Sequence, residues 1–200
     1  MHLRTCVTLA AIAIAVAVAV AGCGSSSSIG DTPSKPVDPN AREVSPAGDI
    51  PDDQAFVAYA PRGAGFVVKV PEGWSRSASG GAVTFTDKLN AIRIQSASSR
   101  APLTVAHARS ADLPKLARGV KGYRPGKVSA VRRKAGTAIR ITYLAAARPN
   151  AVTAKAGTDA VERYVFAHGA RRAILTLSGP KGADNVDPWR IVSDSLTWSR

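Results

Sequence analysis

Cysteine is almost missing from this chain: 200 residues contain two, Cys6 and Cys23. Neither lies in the C-terminal three-quarters, so that part can form no disulfide, present no thiolate nucleophile and offer no cysteine to zinc. It has to be held by its core alone, which is feasible because a domain of about 150 residues buries roughly 70 % of its unfolded surface. Catalytic motifs are also missing. There is no G-x-S-x-G, hence no esterase elbow, and no H-E-x-x-H. Beyond residue 22 the histidines are His107 and His168, sixty-one residues apart, expected in a helix and a turn respectively. The segment Gly122 to Lys127 (GYRPGK) has three residues between its glycines and Val128 after the lysine. A phosphate loop needs four and a Ser or Thr. Asp184 to Asp187 (DNVD) lacks the third oxygen ligand, the glycine and the distal glutamate of a calcium loop, and helix capping accounts for it better. No cofactor or metal is implied.

A hydrophobic run long enough to cross a membrane is lacking too. Val7 to Val20 is fourteen residues, much of it alanine, whereas about 20 are needed to span roughly 30 Å of hydrocarbon. The shorter run has another reading. His2 and Arg4 give a positive start, the apolar stretch follows, and Val20, Ala21, Gly22 and Cys23 form a lipobox. Residues 1–22 are therefore expected to be a lipoprotein signal peptide. Cys23 is the expected lipid-attachment residue, its thiolate taking a diacylglyceryl group as a thioether. Two or three acyl chains, palmitate among them, make a stable anchor where one is marginal. The expected location is the outer face of a bacterial cytoplasmic membrane. Residues 23–50, rich in serine and proline with almost nothing to bury, read as the lipidated N-terminus and a tether. Chain statistics give that tether a reach near 30 Å. Residues 51–200 are then a single globular domain.

Acidic residues are scarce, 14 against 27 lysines and arginines, for a net charge of +13. The imbalance sits in the expected domain, where residues 52–200 hold 24 basic and 10 acidic side chains. Beside a membrane such a domain is attracted to anionic headgroups or wall polymers within about a Debye length. The plainer reading is a solvated basic surface. No nucleic-acid partner is expected, because no interleaved aromatic and basic platform is present.

Along the domain, short strands are expected at Phe56 to Ala60, Phe66 to Val70, Val83 to Asp87 and Ile92 to Ser96, from period-two alternation between glycine and proline breaks. Pro102 to Gly119 reads as helical with Thr104 as N-cap, and Pro114 predicts a break or kink near Asp112 and Leu113 that leaves two short helical pieces. Val128 to Arg133 and Thr137 to Ala147 predict a hairpin around Gly136. A polar loop follows at 148–159. Ala160 to Ala167 and Arg171 to Ser178 predict a second, central hairpin, apolar on both faces. Asp187 followed by Pro188 reads as a helix start, with Trp189, Val192 and Leu196 as its apolar stripe. Trp74, Trp189 and Trp198 are expected to pack in the core or at a sheet edge. The sum is an α+β fold, an antiparallel sheet of about six to eight strands packed with helices.

The order of elements, the entry Phe66 to Trp74 (FVVKVPEGW), the hairpin Tyr164 to Ser178 and the closing helix Asp187 to Leu196 resemble the PsbP-like fold. Photosystem II extrinsic proteins, a regulator of the Ran GTPase and mycobacterial LpqN-type lipoproteins share it. The resemblance covers about residues 55–198. It implies an α/β/α sandwich and a non-enzymatic binding or assembly module, and carries over no catalytic residue. The leading functional expectation is thus a tethered module that binds an envelope protein. The alternatives are a carrier or sensor of a small apolar or anionic envelope ligand held between sheet and helix, and an envelope ester hydrolase using His107 or His168.

Overall fold

The structure, a computed structural model, describes residues 47–148 and 157–199. The leader, Cys23 and the tether as far as residue 46 lie outside the described residues, as does the middle of the polar loop, 149–156. No helix among the described residues is long and apolar enough to cross a membrane.

Alternating side chains build a seven-stranded antiparallel sheet from β3 (Ser75–Ser79), β4 (Ala82–Asp87), β5 (Asn90–Ser98), β6 (Arg124–Arg133), β7 (Gly136–Ala146), β8 (Thr158–His168) and β9 (Arg171–Pro180). Their spatial order is β3-β4-β5-β9-β8-β7-β6. The β8–β9 hairpin is therefore interior to the sheet, as its two apolar faces predict. A second, three-stranded sheet has the order β1-β2-β10, from β1 (Phe56–Tyr59), β2 (Phe66–Pro71) and β10 (Thr197–Trp198).

The large sheet has two differently covered faces. On one, Ile92, Ile94, Leu175, Leu177, Tyr164 and Phe166 are buried. They pack with Phe66, Val68 and Val70 of β2 and with Trp189, Val192 and Leu196 on and after α3 (Val186–Asp194). Burying each such side chain stabilises by about 1.5–3 kcal/mol, so the terminal stripe is what docks α3. On the other face Ile139, Ile141, Tyr143 and Val161 lie beneath Ala108, with Leu113 and Leu116 beside them.

That second cover is one interrupted helix. α1 (Val105–His107) starts where Thr104 Oγ1 accepts the His107 N–H at 3.1 Å, the expected N-cap. It runs into a π-helical turn, Ala108–Asp112, and continues as α2 (Leu113–Gly119). The irregularity expected at Pro114 is thus a wide turn between two short helical pieces. Proline has no N–H and its ring would strike the carbonyl four residues back. The Leu113 N–H reaches back to Ala108 O, and this five-residue spacing makes room for the ring.

Three differences from expectation follow from tertiary contacts. Five strands, not four, precede the helical segment, because β3 pairs with β4 although all its residues are exposed. The C-terminal helix begins at Val186, with Asn185 rather than Asp187 as its N-cap residue. Asp187 and Pro188 occupy its first turn, where amide donors lack helical partners. Finally, Gly48 to Ile50, read as the end of the tether, belong to the packed domain: Ile50 is 4 % exposed. Asn185 Oδ1 accepts the Ile50 N–H at 2.8 Å, and both Asn185 Nδ2 and Asn90 Nδ2 donate to Gly48 O, at 2.9 and 3.0 Å. Asn185 Nδ2 also donates to Asn90 Oδ1 at 3.1 Å. The knot needs a glycine beside it, since a Cβ on Gly179 would collide with Asn90 Oδ1 and lie 2.9 Å from Asn185 Nδ2.

Candidate binding sites

Of the residues singled out in the sequence, Cys23 lies outside the described residues. The two histidines are held in different surroundings. His107, half-buried in α1, lines a cleft between the helical segment and the sheet. His168 ends β8, exposed, with its ring stacked on Trp198 at 5.4 Å. Ser99 and Asp112 line the same cleft as His107, but no hydrogen bond joins the three, and Ser99 Oγ accepts from the Ala101 N–H at 3.2 Å. A hydrolytic triad is not assembled there. In the DNVD segment, Asn185 is committed to the knot described above and the Asp184 N–H donates to Asp49 Oδ1 at 2.9 Å. The described residues hold no cluster of three or more histidine or acidic side chains placed to bind a metal. All three tryptophans pack on the main core: Trp189 is buried, and Trp74 and Trp198 are half-buried.

Two arrangements go beyond packing. The first lies where the β8–β9 turn meets the small sheet. Trp198, edge-on to Phe66 at 5.8 Å, carries His168 stacked on it and the Arg171 guanidinium 5.7 Å from its ring centre. Arg171 Nη2 is 2.6 Å from His168 Nδ1. Cation–π contacts of this kind are worth about 0.5–1 kcal/mol at exposed sites. The cluster is held in shape while leaving cationic and aromatic surface to solvent.

The second is the cleft, with a volume of about 260 Å³. The helical segment is short and interrupted, so it covers the β7–β8 side of its sheet face and leaves the β9–β5 side open. Val165 and Ile174 floor the cleft, and Leu103 and Leu116 wall it. Arg172, 8 % exposed, seals one end by donating to Ala101 O at 2.7 Å and to Gly169 O at 2.8 Å. Arg163 stands at the other end. Its Nη1 donates to Thr176 Oγ1 at 2.9 Å, and it forms no ion pair among the described residues. Burial pushes the Arg163 guanidinium below its ordinary pKa; Tyr143 and Asp112 oppose that shift and Arg93 adds to it. A larger cavity of about 380 Å³ beside Lys88 and Asp159 is bounded by Ala147, Arg148 and Gly157, the residues flanking 149–156. Burial raises the Asp159 pKa, with Arg148 opposing.

Among the described residues, one network of half-buried charges borders the main core. Arg133 donates through Nε to Ser193 Oγ at 2.9 Å and through Nη2 to Tyr164 Oη at 3.2 Å, and Tyr164 Oη donates to Glu162 Oε2. Glu162 also pairs with Arg140 at 3.3 Å, and Arg133 with Asp194 at 3.7 Å. This network ties α3 to β6 and β8. The Tyr164 pKa is raised by burial first, then by its hydrogen bond to Glu162 and the Glu162 charge, with Arg133 opposing; burial also leads the rise at Tyr143. Because the fold favours the neutral phenols, their contribution is intact below the ordinary tyrosine value of about 10. It is lost as pH rises through the folded values. Chemical denaturation between neutral pH and pH 11 is expected to show a steep loss of stability on the alkaline side. Tyr164→Phe, less stable at neutral pH, should lose less of its stability over that range, and an unchanged alkaline slope would detach Tyr164 from the effect.

No protein-family model and no curated protein matches the sequence. Solved structures do. The solution structure of cyanobacterial PsbP from Synechocystis sp. PCC 6803 superposes on 72 % of this chain and 93 % of its own, at 14 % identity and a TM-score of 0.51. The fold is PsbP-like. A Bacteroides thetaiotaomicron VPI-5482 protein covers 72 % of the chain at 16 % identity and a TM-score of 0.48. This chain spans 48 % of that protein's length. The Saccharomyces cerevisiae Ran-binding protein Mog1p covers 72 % of this chain and 96 % of its own at 11 % identity, with a TM-score of 0.47. At 14 % identity what is shared with the cyanobacterial protein is the PsbP-like α+β architecture, here an antiparallel sheet with α3 and the small sheet on one face and the interrupted helix on the other.

Proposed function

We propose that this chain is a lipoprotein, anchored through Cys23 to the outer face of a bacterial cytoplasmic membrane, whose PsbP-like domain is a non-enzymatic binding or assembly module for an acidic envelope protein. The observation that carries this reading is the Trp198, His168 and Arg171 cluster, set in a domain with 24 basic and 10 acidic side chains over residues 52–200. Tryptophan and arginine are the side chains that most often dominate binding energy at protein interfaces. A surplus of positive charge steers an acidic partner toward them. The lipobox supports the anchor. The PsbP-like fold supports a binding role by analogy of fold.

Two measurements test it on the full chain in its bacterial host. Metabolic labelling with a palmitate analogue should mark the protein, and Cys23→Ala should abolish the label; an unlabelled wild-type protein sinks the anchor. Affinity purification from solubilised membranes should recover the same acidic protein repeatedly, and Arg171→Glu should weaken that recovery. If no reproducible partner appears, the assembly role is wrong.

A further inference from the structure

Beside the cleft under the interrupted helix runs a row of side chains that packing does not explain, and one of them, Arg163, lines the cleft itself. In the register of the large sheet, Arg93 of β5 lies opposite Thr176 of β9, and Thr176 lies opposite Arg163 of β8. Adjacent strands are about 4.8 Å apart, so two guanidinium-bearing positions flank one hydroxyl in a single cross-strand row. Like charges so placed repel, and a half-buried arginine without an ion pair has lost hydration that no carboxylate replaces. Asp112, which lines the same cleft and favours the charged form of Arg163, is not within ion-pairing distance of it. Lys115 offsets the Asp112 charge, so Arg163 and Arg172 leave the lining with a surplus of positive charge. The site is built to complement an anion. The remainder of the cleft, floored by Val165 and Ile174 and walled by Leu103 and Leu116, calls for an apolar body attached to it. Its volume, about 260 Å³, sits just below the range of about 300–1,000 Å³ for drug-sized ligands. It has room for one small molecule.

We propose that this cleft binds a small single-headed amphiphile, a carboxylate or phosphate monoester on a short apolar chain. The anion is held by Arg163, which Thr176 steadies by accepting from its Nη1, and the chain runs along Val165 and Ile174 toward the end sealed by Arg172. Arg172 itself is a wall, because three of its five N–H donors are held by the backbone carbonyls of Ala101, Gly169 and Arg171. The site is separate from the Trp198 cluster, so it stands or falls independently of the protein-binding role.

Isothermal titration of the full chain with octanoate, octyl phosphate, octanol and inorganic phosphate tests the proposal. Octanoate or octyl phosphate should bind one-to-one, the better of the two identifying the head. Octanol and inorganic phosphate, each lacking half of the ligand, should bind at least about tenfold more weakly. Arg163→Gln, which keeps a donor for Thr176, should weaken the amphiphile by about tenfold or more. Ala97→Trp, at an exposed position lining the cleft, should block binding while leaving the thermal melt unchanged. The proposal is overturned if neither amphiphile binds at millimolar concentration, if octanol or inorganic phosphate binds equally well, or if folded Arg163→Gln and Ala97→Trp proteins bind as the wild type does. Binding to anionic vesicles that depends on Arg163, with no binding of the soluble amphiphiles, would equally overturn it and assign the arginine to a membrane surface.

Discussion

Asn185→Leu is expected to destabilise the domain by about 3 kcal/mol or more, a large effect for a change that conserves side-chain size. Asn185 is 3 % exposed and joins three chain segments: it accepts from the Ile50 N–H and donates to Gly48 O and Asn90 Oδ1. Leucine fills the space but leaves the Ile50 amide and Asn90 Oδ1 without partners, at about 1–3 kcal/mol for each orphaned buried group. Gly48 O retains one donor, Asn90 Nδ2 at 3.0 Å. Urea denaturation should show a lower midpoint with the slope nearly unchanged. A midpoint within error of wild type would mean that residues 48–50 are not held by this knot.

Phe166→Ala should cost about 3–5 kcal/mol, the usual range for removing a buried phenylalanine. Phe166 is 1 % exposed, on β8 in the interior of the sheet, with the Tyr164 ring centre 6.4 Å from its own. It sits between strands paired on both sides, so the backbone cannot collapse into the space. At about 2–4 °C per kcal/mol for a domain of this size, the melting temperature should fall by roughly 10 °C. Val57→Ala, at a residue 41 % exposed on β1, is the control and should stay within about 0.5 kcal/mol. Equal losses at the two positions would contradict the assignment of the core.

Both residues mark where reading the chain stops working. Phe166 is legible, since the apolar runs Tyr164 to Ala167 and Ala173 to Leu175 announce a hairpin buried in the interior of a sheet before any strand is paired. Asn185 is not: its partners, Gly48, Ile50 and Asn90, are remote in sequence, and an asparagine before a helix looks like any cap. Strand β3 escaped for the opposite reason. All five of its residues are exposed, so no burial pattern could mark it. The only local signal was Gly80 followed by Gly81, whose positive φ angles, 57° and 73°, close a two-residue hairpin. The candidate sites divide in the same way. Trp198 and Arg171 are visible as an aromatic and a cation, but that one lies over the other is decided by β10 pairing with β2.

What the chain by itself determined is local: the alternation that sets which side chains share a face, the glycines that permit hairpin turns, the proline that widens the helical segment, the Trp189, Val192 and Leu196 stripe, and the Val20 to Cys23 motif. Each follows from the stereochemistry of a few consecutive residues. Tertiary structure alone decided that β5 pairs with β9, that β1, β2 and β10 leave the main sheet, and that Arg93, Thr176 and Arg163 fall in one row beside an uncovered cleft. Those outcomes depend on which distant strands best bury their apolar faces together. That is a property of the assembled sheet, and no short window of sequence contains it.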